Sequence, residues 1–308
     1  MFRSAILVLI ALVFWKEESP NTEEPITSFF VGDSIRIDVQ PMRDSAGILD
    51  GYWSEVFTPI CETDKCYAVV VNFYWDLMGR FQRYDTVPGE ALTKLDHLPF
   101  EPEDYQKLQE ILSNADSPLR NYAQKELVRD TRSSEIDGMT GATIQEVRDN
   151  VIPGAVYSCH TLWHIAHGNA VDSLQQATTM SWSDELVAKM TSRDDPSLHY
   201  FLIQSFLPED FNTYREPLLS TIPNSRGYYA KNAIEALPTD VLHLMETQVF
   251  FAEHLPQFNY FTQVALLKKL DSAAITEPIK ASLVAIKDDR DSYKNQLINQ
   301  LIGEQNDF

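Results

Sequence analysis

The residues Asp137-Gly138-Met139-Thr140-Gly141-Ala142-Thr143 set an acid, two glycines and two hydroxyls at the start of a predicted helix. Glycines permit left-handed or close-approach backbone, and a helix N-terminus offers free N–H groups and the positive end of a dipole to a phosphate. A threonine hydroxyl placed there could carry a phosphate ester. The same residues have a purely structural use, because Thr143-Ile144-Gln145-Glu146 is also a capping box with Thr143 as N-cap. A second set of capable side chains lies on the next predicted helix but one. His160, His164 and His167 are spaced i, i+4, i+7, which at about 100° per residue puts the three imidazoles on one helix face. Two of them could ligate zinc or a haem iron, yet no carboxylate shares that face, and neither His-Glu-x-x-His nor Cys-x-x-Cys-His is present. Lining a cofactor or partner pocket, or packing beside Tyr157 and Trp163, are the alternatives.

The full string Asp137 to Thr143 resembles the flavinylation motif Asp-Gly-x-Ser/Thr-Gly-Ala-Thr of the covalent FMN-binding domain, with its six constrained positions filled. That domain occurs in subunits of redox-driven sodium pumps and in secreted bacterial electron-transfer proteins. The resemblance implies that Thr143 receives FMN through a phosphoester bond made by a separate flavin transferase that uses FAD. It also implies that Asp137, Gly138, Thr140, Gly141 and Ala142 are recognition and loop positions. It covers about a dozen residues, and Thr140 stands where serine is the commoner choice.

The elements that would position these groups differ along the chain. From Ile35 to Tyr84 the pattern is β: Ile35-Arg36-Ile37-Asp38-Val39 alternates and Tyr67 to Trp75 is rich in β-branched and aromatic residues, which predicts an antiparallel meander or small barrel. Cys61 and Cys66 bracket four residues between two strand-like runs. A hairpin turn there would oppose the sulfurs, giving a disulfide in an oxidising compartment, with free thiols or a metal pair as alternatives. Cys159 is the unpaired third and reads as a buried thiol. Helices are predicted over about 103–113, 119–129, 144–151 and 155–167, the last stopped by Gly168.

Composition changes near residue 170. Beyond it helices are predicted over about 183–192, 196–207, 212–222, 226–237, 240–255, 259–270, 276–287 and 290–302, separated by Pro, Asp or Asn breaks. Leu207-Pro208-Glu209-Asp210 recurs as Leu237-Pro238-Thr239-Asp240, and the stacked pairs loosely resemble HEAT-like repeats of a short α-solenoid. The predicted fold class is thus α+β: residues 26–169 form a β-rich FMN-binding-like domain, and 170–308 an all-α helical-repeat region. Residues 1–25 read as a secretory leader or N-terminal anchor with a spacer, its apolar run Ser4 to Trp15 being shorter than the ~20 residues of a membrane span.

A net charge of −20 over 308 residues disfavours nucleic acid and anionic membranes as partners. It could steer a cationic partner or serve solubility. No Gly-x-Ser-x-Gly or framed nucleophile supports a hydrolase. The expectation is an exported electron-transfer flavoprotein of the periplasm or cell envelope. It carries FMN on Thr143, with His160 and His164 lining the cofactor pocket and the helical region docking a redox partner. It would be a carrier more than an enzyme with its own substrate, and the competing expectation is a cell-envelope interaction scaffold without cofactor.

Overall fold

The computed structural model describes residues 24–32, 35–59, 68–127, 145–223 and 225–303. The motif from Asp137 to Thr143, both Cys61 and Cys66, and the leader up to residue 23 lie outside the described residues.

Period-two alternation produces strands β1 (Thr27–Val31), β2 (Ile35–Arg43), β3 (Leu49–Thr58), β4 (Val69–Trp75) and β5 (Phe81–Thr86). They pair antiparallel in chain order. The meander forms as expected, and β1 and β5 are edges, so the sheet is open and not a barrel. The registers Phe29↔Ile37, Tyr52↔Trp75, Ser54↔Phe73 and Val56↔Val71 put these side chains on one buried face. That row is why the alternating pattern folds as a sheet: a one-residue slip would turn every member outward.

Four helices dress this sheet: α1 (Pro102–Ser113), the single turn α2 (Gln145–Arg148), α3 (Val156–His167) and α4 (Asn169–Thr179). α1 packs on β5 and α3, and α4 packs on β1. α3 is buried on nearly all sides, from Val156 through Cys159, Leu162 and Trp163 to Ala166, the pattern of a central helix. Trp75 Nε1 donates to the Ala166 carbonyl at 3.0 Å. Thr178 donates to the Leu77 carbonyl at 2.6 Å, so the 2.6 Å contact between its oxygen and Tyr52 is a bond donated by the tyrosine. Burial pushes the Tyr52 hydroxyl up to about 12 and the Cys159 thiol up to about 12, leaving both protonated and the thiol unreactive.

One predicted helix takes another form, and one helix forms that the sequence did not announce. Residues 119–129 are not one helix: the chain makes 3-10 turns at Pro118–Asn121 and Gln124–Glu126. Helix α4 was not among the sequence expectations, because Gly168 stops α3 and the chain re-enters helix at the next residue.

Among the described residues ten further helices follow: α5 (Asp184–Ser192), α6 (Pro196–Ser205), α7 (Pro208–Thr213), α8 (Arg215–Ser220), α9 (Tyr229–Ala236), α10 (Thr239–Leu242), α11 (Met245–His254), α12 (Tyr260–Lys269), α13 (Glu277–Ala285) and α14 (Ser292–Ile302). The predicted 212–222 and 240–255 segments are each broken, α7 from α8 at Tyr214 and α10 from α11 at His243-Leu244. α6 packs on α9, α9 on α12 and α12 on α14, while α5 packs on α8 and α11 on α13. Lys189 of α5 reaches back to the sheet, bonding Asp44 at 2.6 Å and Asp50 at 2.7 Å, and Arg193 joins Asp50. Among the described residues no helix is long and apolar enough to cross a membrane.

Candidate functional site

The histidine face of α3 meets the stretch from Leu112 to Tyr122, which leaves α1 and turns through Pro118–Asn121. Nε2 of His160 lies 2.8 Å from the Tyr122 carbonyl, that of His164 3.3 Å from Leu119 O, and that of His167 2.6 Å from Leu112 O. Trp163 Nε1 donates to Asn114 O at 2.8 Å between them. A carbonyl can only accept, so each imidazole carries its proton on Nε2. The spacing therefore has a mechanical purpose, since one helix face supplies four donors to a segment held on its own only by short turns. Leu112 O in particular belongs to the last turn of α1, where helical carbonyls have no partner of their own.

Burial lowers the pKa of all three histidines below the ordinary imidazole range, against a smaller opposing effect of the carbonyl bonds. They are uncharged at neutral pH. With Nε2 spent on carbonyls they are poorly arranged to bind zinc or haem iron, and among the described residues no group of three or more His, Cys, Asp or Glu is disposed to hold a metal ion. The rings pack against one another in tilted pairs, His160 with His164 at 4.3 Å and Trp163 with His167 at 4.9 Å between centroids.

His160 and His164 have a second exposure. They form one wall of a cavity of about 470 Å³, whose other walls come from Phe30 and Val31 at the end of β1, Ile35 at the start of β2, and Tyr122-Ala123-Gln124. Thr161 and Asn169 contribute polar groups, and Asn169 Nδ2 donates to Phe30 O at 2.8 Å, tying α4 to β1 at the rim. His167 is not in this wall; its imidazole lies against Phe81 and Trp163. The volume is that of a small-molecule site. Among the described residues no lysine, arginine or carboxylate lines it.

The structure thus brings together His160 and His164 among the anticipated residues and adds Phe30, Ile35, Tyr122 and Asn169. Nothing in the spacing of those four marks them in the sequence. Ile35 reads only as the first residue of an alternating strand, and Tyr122 as one apolar residue of a helix that does not form. The chain matches no protein-family model, and neither curated proteins nor solved structures include a significant match to it.

Proposed function

We propose that this protein is an exported electron-transfer flavoprotein that carries FMN covalently on Thr143, with the ring of the flavin seated against His160 and His164. The motif Asp137-Gly138-Met139-Thr140-Gly141-Ala142-Thr143 carries this reading. Support comes from what flanks it. The described chain on one side runs through Gln124 of the cavity wall, and on the other resumes at Gln145, where α2 packs on the Pro118–Asn121 turn. The cavity lining suits a flat, uncharged aromatic ring, with Phe30, Ile35, Tyr122 and two imidazole faces as walls and amide and hydroxyl groups at the edge. When bound, FMN supplies the reversible electron chemistry. The protein's own residues orient and cover it, and the neutral histidines leave the ring without a fixed positive charge.

The helical half fits a HEAT-like stack presenting this site to a redox partner. First helices begin at Asp184, Arg215, Met245 and Glu277, and second helices at Pro196, Tyr229, Tyr260 and Ser292, a recurrence of 30 to 33 residues with each second helix packed on the next. The leader-like N-terminus supports export to the periplasm or cell envelope, either cleaved or retained as an anchor.

Co-expression with an exported flavin transferase tests the reading. The expected product keeps yellow colour and in-gel fluorescence after denaturation and gains the mass of one FMN, and Thr143→Ala abolishes both. A colourless protein of unmodified mass, under conditions that flavinylate a control, leaves a cofactor-free envelope scaffold as the function.

A further inference from the structure

A different face of the molecule carries a second site. Where α4 ends and the first helical pair begins, a groove of about 570 Å³ opens between α4, α6 and the start of α7. Its floor is Trp182 and Phe201, with ring centroids 6.0 Å apart. Its rim holds Met180, 81% exposed, and Leu207, 58% exposed. Large apolar side chains held this far into water, on either side of an aromatic floor, are the mark of a surface that expects company.

The charged groups of the groove are of one sign. Asp172 and Asp210 line it, together with the amides of Gln175 and Gln176, and among the described residues no lysine or arginine does. Asp210 gives one oxygen to the backbone N–H of Leu207 at 2.8 Å, closing the start of α7, and its other oxygen remains to accept. Gln175 donates to Met78 O at 3.1 Å, which fixes that wall to the loop after β4. The rest of the chain adds to the same field through its net charge of −20. An occupant must therefore offer cations to the two carboxylates and aliphatic surface to Met180, Leu207 and Trp182.

We infer that this groove is the docking site for a basic, amphipathic segment of a partner protein, in which lysine or arginine heads meet Asp172 and Asp210 while their stems and neighbouring apolar side chains cover Met180 and Leu207. Long basic side chains suit this division, being apolar along the stem and charged only at the tip. An aromatic floor adds attraction for a cation brought over it. The long-range field steers approach, and the apolar rim retains what arrives. This inference does not depend on the flavin.

The test uses the full chain and three fluorescein-labelled peptides of equal length, alternating Lys-Leu, Ser-Leu and Glu-Leu, with fluorescence anisotropy as readout. The Lys-Leu peptide is expected to bind and the other two to bind at least tenfold more weakly. Asp172→Asn with Asp210→Asn is expected to weaken Lys-Leu binding about tenfold. The charge-matched pair Glu253→Gln with Asp289→Asn, exposed residues outside the groove, is expected to leave it unchanged. Met180→Ser with Leu207→Ser, which alters no charge, is expected to weaken it as well. Asparagine at 210 can still accept from Leu207, and unchanged far-UV dichroism checks that every variant folds. Equal weakening by both charge pairs, or no loss on removing the two apolar side chains, overturns the assignment in favour of bulk attraction to an acidic surface. Thr143→Ala should bind as the parent does, which separates a failure here from a failure of the flavin reading.

Discussion

At the scale of single residues, the histidines on α3 behave as hydrogen-bond donors first, and this sets a pH dependence. Their pKa values are lowered on folding by burial, whereas in the unfolded chain they take the ordinary value near 6.5. Between the folded and unfolded values the unfolded chain binds more protons, so stability rises with pH through that window and falls as pH drops below about 6.5. Above it the three residues contribute no slope. The carboxylates Asp44, Asp50, Asp195 and Glu185, whose pKa values are lowered, lose their contribution only in a separate window below about 4, so the two effects are resolvable. The urea midpoint is expected to fall from pH 7.5 to pH 5.5 in the parent protein. In a His160→Gln, His164→Gln, His167→Gln variant, which keeps an N–H donor at each position but no titrating group, it is expected to be flat over that range. An equal slope in both proteins would place the titration elsewhere.

At the scale of elements, Gly79 shows how closely sheet and helix approach. It sits at the β4–β5 turn with φ of +73°, and a Cβ there would lie 2.9 Å from the backbone of Val171 in α4. Both the left-handed geometry and the contact exclude a side chain, so Gly79→Ala is expected to lower unfolding free energy by about 2 kcal/mol or more, measured by urea denaturation. A loss below about 0.5 kcal/mol would mean that the turn and α4 part easily. The sequence made β2 legible because Ile35 to Val39 alternates, β4 because it is rich in β-branched and aromatic residues, and α3 because Pro153-Gly154 and Gly168 bracket it. It hid α4, since Asn169 to Thr179 has a narrow apolar stripe of Ala170, Leu174 and Ala177 that reads as loop until β1 is placed against it. It misdirected the reading of 119–129 for the opposite reason. Leu119 and Leu127 are buried as a helix would bury them, but the Leu119 and Tyr122 carbonyls bond to imidazoles of α3, and local propensity yields to that tertiary arrangement. The histidine spacing announced a shared face; which atoms that face would meet depended on chain some 40 to 55 residues away.

At the scale of the whole molecule, the change of composition near residue 170 does not coincide with a break in packing. α4 covers β1, Thr178 bonds to Tyr52, and Lys189 and Arg193 of the helical half hold Asp44 and Asp50 at the β2–β3 end of the sheet. The buried apolar residues from Phe29 to Leu301 form one contiguous cluster. Thermal or urea unfolding is therefore expected to be one transition, with near-UV dichroism from Trp75 and Trp163 and far-UV dichroism from the helices superimposing. Two separated steps would show that the helical stack melts independently. The cavity beside α3 and the groove beside α6 both draw residues from α4, Asn169 for the cavity and Asp172, Gln175, Gln176 and Thr179 for the groove.

The row of donors along α3 also constrains chain length. Leu112, Asn114, Leu119 and Tyr122 each deliver a carbonyl to a fixed rung of that helix. Adding or removing one residue between Asn114 and Leu119 would carry Leu119 and Tyr122 off their rungs while Leu112 and Asn114 stayed put. A connection with the outward look of a tolerant surface loop is thus a measured spacer.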